Sequence, residues 1–175
     1  MVKKVSLSGK QLTLAQIADH YKDVESAIRL YYSPSTADPM RFAGYSFREM
    51  SDELELRLAE EDLLNVFSLL SAIEAWFRVD TELRVRKKLK DALSDRVRKV
   101  YKQKGKYMSL EDDIFTAWSD CGFLPKAVIS DLKGAFKFRH WLAHGRYWTP
   151  KLGQRYDYHS VYDLALDVAG GIPPF

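Results

Sequence analysis

Between Gly44 and Gly105 the chain contains neither glycine nor proline, and this span is rich in Leu, Glu, Arg, Lys and Ala. So long a stretch without either breaker, built from strong helix formers, leaves little room for strands and tight turns, and long helices are the expectation. Within it Leu63, Val66, Phe67, Leu70, Ile73 and Phe77 recur at spacings of three and four, the stripe of a helix that buries one side. Ser46 and Glu49 have the spacing of a capping box at its start. A break is expected between Asp80 and Ser94, where Asp80, Thr81 and Ser94 are all suited to cap a helix.

The flanking segments read the same way. Leu14, Ile17, Tyr21, Val24, Ile28 and Tyr31 mark a first amphipathic helix, with Thr13 and Gln16 as its capping box, and the proline-containing SPSTADP that follows is a loop. A turn at Gly105 leads to a short helix from Ser109 towards Cys121, whose Glu111, Asp112 and Asp113 suit a helix start. Pro125 opens another helix with Val128, Ile129, Leu132 and Phe136 on its buried side, and Gly145 fits its C-terminal cap. A last helix is expected from His159 to Val168, with a loose tail from about residue 169. A chain of 175 residues suits one core, so residues 1–175 are expected to form a single all-α domain, a helical bundle.

Composition, 46% apolar and 29% charged, argues against both a disordered chain and a membrane protein. No apolar leader follows Lys3 and Lys4, and the richest apolar run is interrupted by Asn65 and Glu74, so neither a signal peptide nor a membrane span is predicted. The single cysteine, Cys121, cannot form an internal disulfide, and a reducing, cytoplasmic setting is the expectation.

Two charges fall where apolar residues should be. On a helical projection Val128, Leu132, Ala135, Phe136, Leu142 and Ala143 lie within roughly 60° of Arg139, and Glu74 lies on the stripe of the long helix. A lone buried charge costs several kcal/mol, so Glu74 and Arg139 are expected to face each other across the bundle or line a shared cleft. His140 and His144 follow Arg139 one turn apart, and Arg146 lies just beyond, within reach of the same opening. Guanidinium and imidazole together suit a phosphodiester, one binding its oxygens and the other moving a proton. The two histidines lack the intervening glutamate or cysteine pair of a zinc site, so no metal is expected. From Arg84 to Lys106 eleven residues are basic against two acidic, which reads either as an RNA track or as a solvated helix face. Trp141, Tyr147 and Trp148 read as packing or dimer-contact residues.

The segment Phe138-Arg139-His140-Trp141-Leu142-Ala143-His144 resembles the signature of the HEPN superfamily: an Arg, a polar residue, three further residues and a His near the end of a helix. The resemblance extends to a helical bundle over about residues 10–145. It implies a homodimer whose two motifs meet in a composite cleft, and a metal-independent endoribonuclease acting as a toxin or in antiviral defence, without a cofactor. Arg139 would bind the scissile phosphate, His144 would act as general acid or base, and His140 would assist. Glu74, by the helical geometry, would hold Arg139. Arg146, Lys87, Lys88, Lys90, Arg96, Arg98, Lys99 and Lys102 would contact RNA. One HEPN toxin group carries a tyrosine two residues after the His as the target of its antitoxin; here that position is Arg146 and the tyrosine is Tyr147, so a cognate antitoxin would act differently. The alternative is a non-catalytic HEPN-like module that binds RNA or protein and dimerises.

Overall fold

The computed structural model describes residues 7–171. Local chemistry sets the first helices. Thr13 and Gln16 close a reciprocal capping box at the start of α1 (Leu14–Tyr31), and Ser46 and Glu49 do the same for α2 (Phe47–Lys87). With no breaker inside it, α2 runs 41 residues, about 60 Å at the rise of an α-helix. It is the spine of the fold, packed against α1, α3 (Ala92–Lys104), α5 (Lys126–Ala143) and α6 (Tyr158–Gly171). Between α3 and α5 the chain makes a 3-10 turn at Gly105–Tyr107, a π-helical segment at Leu110–Phe115 and the one-turn α4 (Thr116–Asp120). Among the described residues there is no strand, so the all-α architecture stands. Among the described residues no helix is long and apolar enough to cross a membrane.

One core joins these helices. Val66, Leu69, Leu70, Ile73 and Phe77 from α2 meet Leu93 and Val97 from α3, Leu132 and Ala135 from α5, and Val161, Ala165 and Val168 from α6. Phe77 sits edge-on to both Phe115 and Trp118, with ring centroids 4.9 and 5.2 Å apart.

The break in the long helical region lies at Lys88, which adopts a left-handed conformation, φ 52°. Neither Asp80 nor Thr81 nor Ser94 caps a helix there. Asp91 is the N-cap of α3 and accepts from the Ser94 N–H, while Asp80 and Thr81 are buried inside α2. Asp80 is inside because it has a partner: Arg84 Nε donates to Asp80 Oδ2 at 2.7 Å, and Arg84 Nη1 reaches Asp91 Oδ1 at 3.0 Å and Ser94 Oγ at 3.1 Å. The guanidinium packs over Trp118 and Phe123, each 5.6 Å from the ring centroid. A buried cation therefore ties the end of α2 to the start of α3.

The C-terminal end differs from expectation as well. α6 continues through Ala169, Gly170 and Gly171, where the sequence suggests loose chain, because Gly171 packs closely against Phe123 and Leu124 and any Cβ there would collide with them. The rest of the expected tail, 172–175, lies outside the described residues.

Candidate functional site

The site is organised by the C-terminal half of α5. Pro125 leads into this helix, and a Schellman motif ends it: Gly145, φ 79°, donates to the Leu142 carbonyl and Arg146 to that of Trp141. Because α2 covers the Leu132–Ala135 side, Arg139 stands where the buried arc opens to solvent, with 28% of its side chain exposed. Its Nη2 lies 3.2 Å from Glu74 Oε2, so the two charges expected to face each other do so, within one chain. The guanidinium also lies over Phe67 and Phe136, 5.3 and 5.9 Å from their centroids. Its Nε is buried with no hydrogen-bond partner among the described residues.

Glu74 is shared. Its Oε1 accepts from Arg78 Nε at 2.8 Å, and Arg78 Nη1 donates to the Met108 carbonyl at 3.3 Å. One carboxylate thus connects Arg139 on α5 to the chain entering Ser109.

Glu74 and Arg139 border a cleft of about 690 Å³, inside the 300–1,000 Å³ typical of small-ligand sites. Its walls come from four elements: Glu74 on α2; Ser109, Leu110, Glu111 and Asp112 at the start of the π-helical segment; Phe136, Lys137, Arg139 and His140 on α5; and Trp148, Pro150, Lys151 and Leu152 beyond it. Around α5 these side chains span roughly 160°, from Arg139 through Phe136 and His140 to Lys137. The cleft therefore lies along one flank of the helix. A projection centred on the apolar arc finds Arg139 and passes over Lys137.

The two histidines are adjacent, with ring centroids 4.2 Å apart. His140 lines the cleft and stands 5.9 Å from the Trp148 ring, whereas His144, on the next turn, is exposed and does not line it. Arg146 does not reach the cleft, contrary to expectation. In a left-handed conformation, φ 58°, it points to α2 and forms two 2.8 Å hydrogen bonds with Glu60. Those bonds hold the Glu60 carboxyl below the usual carboxylate range.

Beyond α5 the chain is fastened back onto the helix. Trp141 Nε1 donates to the Trp148 carbonyl at 2.5 Å, and Tyr156 stacks on Phe138 with centroids 5.8 Å apart. Tyr156 lies so close to Gly134 that no side chain fits at that position. Trp141 packs against Phe138, Tyr147 is exposed, and of these three Trp148 is the one that lines the cleft.

At least five of the eleven basic residues from Arg84 to Lys106 have acidic partners. Arg84 is buried, Arg86 pairs with Glu82, Arg96 lies 3.5 Å from Asp120, Arg98 bonds to Asp95 and to the Leu89 carbonyl, and Lys104 bonds to Asp113 at 2.7 Å. Lys87, Lys88, Lys90, Lys99 and Lys102 are exposed, and no member of the run lines the cleft. Among the described residues no group of three or more His, Cys, Asp or Glu is placed to hold a metal ion. Compared with protein-family models, curated proteins and solved structures, the chain finds no match.

Proposed function

We propose that this chain is a metal-independent endoribonuclease of the HEPN type, acting as a homodimer in a toxin or antiviral-defence role. The observation that carries this reading is Arg139: a guanidinium held by Glu74 at the mouth of an open cleft, with an imidazole on the following residue facing the same space. Such a group binds two phosphate oxygens at once and stabilises the charge that develops as phosphorus becomes five-coordinate.

In the proposed reaction the ribose 2′-oxygen attacks the adjacent phosphorus while an imidazole removes its proton. The bond from phosphorus to the 5′-oxygen breaks, and that oxygen takes a proton from the acid. The products are a 2′,3′-cyclic phosphate and a 5′-hydroxyl. His140 is the imidazole in the cleft of a single chain; His144, exposed beside it, enters the chemistry when a second copy covers the end of α5.

The test is cleavage of total RNA in EDTA by wild type, Arg139→Ala, His140→Ala and His144→Ala, with end-group analysis and a melting curve for each. Cyclic-phosphate ends whose formation requires Arg139 and at least one histidine support the reading. Cleavage unchanged in every variant would overturn it. A non-catalytic RNA- or protein-binding dimerisation module is the second reading, favoured by His144 standing outside the cleft. Intact RNA with a folded wild-type protein selects it.

A further inference from the structure

Resting on the ribonuclease reading above, we infer that the cleft beside Arg139 holds a subsite for one nucleotide of single-stranded RNA, its base stacked on Trp148 and its flanking phosphates on Lys137 and Lys151. The basic helix α3 is then not where the substrate strand is held. Three observations carry this assignment. First, the cleft combines the two surfaces a nucleotide needs: an aromatic side chain with apolar neighbours Pro150 and Leu152, and three cations, Lys137, Arg139 and Lys151. A groove for phosphate alone has no use for the former, and base stacking is the usual way to bind a strand without reading its sequence.

Second, the cations and the acidic lining residues come from different elements. Lys137 and Arg139 project from α5 and Lys151 from the segment after it, while Glu111 and Asp112 come from the chain before α4 and Glu74, from α2, is already bound to Arg139. Repulsion by Glu111 and Asp112 leaves a phosphate chain one set of partners, the cations on the α5 side of the cleft.

Third, the main chain at Trp148 is held before any ligand arrives. Its carbonyl is bonded to the Trp141 indole, and its ring lies within 5.9 Å of His140, which would set the stacked base next to the reacting phosphate. By contrast Arg84, Arg86, Arg96, Arg98 and Lys104 on and around α3 already have acidic partners, and the exposed Lys87, Lys88, Lys90, Lys99 and Lys102 line no part of the cleft that holds Arg139.

The experiment uses a short 5′-fluorescein RNA with 2′-O-methyl groups throughout, which has no free 2′-hydroxyl and is bound without being cut. Its affinity is measured by anisotropy for wild type, Trp148→Leu, Trp148→Phe, the double variant Lys137→Gln/Lys151→Gln and the α3 variant Lys99→Gln/Lys102→Gln. Trp148→Leu is expected to weaken binding about tenfold or more, and Trp148→Phe to retain most of it. Lys137→Gln/Lys151→Gln should flatten the dependence of log affinity on log salt by about 1.4, two phosphate contacts on a single strand. The α3 variant should bind as wild type does. Equal affinity for wild type, Trp148→Leu and Lys137→Gln/Lys151→Gln, each with its melting transition intact, would overturn the subsite, as would loss confined to the α3 variant. If RNA cleavage still requires Arg139 in that case, the ribonuclease reading survives alone. The expected binding pattern with uncut natural RNA sinks the ribonuclease reading and leaves the subsite.

Discussion

Replacing Arg84 by methionine tests the buried link between α2 and α3. The Arg84 and Asp80 side chains are 1% and 2% exposed and lie 2.7 Å apart, and burial already pushes the Asp80 carboxyl above its usual range while Arg84 pulls it down. Removing the guanidinium strands a carboxylate with no water to solvate it, a change that costs about 3–5 kcal/mol. For a domain of this size 1 kcal/mol moves Tm by about 2–4 °C, so Arg84→Met should melt about 6–20 °C below wild type. Asp91 contributes little to that loss, because its side chain is 37% exposed and keeps its hydrogen bonds from Ser94. The double variant Asp80→Leu/Arg84→Met should recover most of the loss, since an apolar pair of similar volume replaces an ion pair at little net cost. There is also a pH signature. Without Arg84 the Asp80 carboxyl rises further, so the deficit of Arg84→Met is largest at neutral pH. It shrinks as the pH falls through the folded-state pKa towards the unfolded value near about 4. Thermal unfolding followed by circular dichroism at several pH values measures all three. A single variant melting within about 3 °C of wild type, or a double variant no better than the single, would refute the reasoning.

Other perturbations address the site and its supports. Gly134→Ala puts a methyl group into the Tyr156 hydroxyl and should cost about 1–3 kcal/mol by denaturant unfolding, with the loop that carries Trp148 loosened before the core. Asp157→Ala removes the carboxylate that accepts from the Ser160 N–H ahead of α6 at 2.9 Å, a cap worth about 1 kcal/mol. That hydrogen bond lowers the Asp157 pKa, so its stabilisation is complete above the unfolded value and is lost as the pH falls through the folded one; wild type and Asp157→Ala should converge below about pH 4. Glu74→Gln should leave the fold intact and reduce RNA cleavage by about tenfold to a hundredfold, because Arg139 loses its ionic anchor; cleavage at the wild-type rate would show that Glu74 positions nothing.

What could be read from the sequence is what local rules determine. Both capping boxes are legible because four consecutive residues contain all their atoms, and the Glu74–Arg139 contact because an unpaired charge on each of two apolar arcs demands a partner. Arg84 defeats such reading. In a string of eleven basic residues it looks like any other, and its burial depends on Trp118 and Phe123, which lie far along the chain. Asp80 and Thr81 are mistaken for caps for the same reason. Gly134 gives no warning until Tyr156 is seen lying across it. Trp148 and Lys151 join the site only through the return of the chain after α5, which no periodicity encodes, and Arg146 leaves it because Glu60 offers a two-point partner 86 residues away.

The unbroken α2 places Glu60 against Arg146, Asp62 against the start of α6, Glu74 against Arg139 and Arg84 against Asp91 at the start of α3. These four attachments share one helical register with nothing between them to absorb a slip. A single residue inserted between Asp62 and Glu74 would rotate everything beyond it by about 100°. Glu74 would turn away from the cleft while Glu60 and Asp62 kept their partners. Substitutions along this helix are local events, whereas a change in its length redraws the map between one end of the molecule and the other.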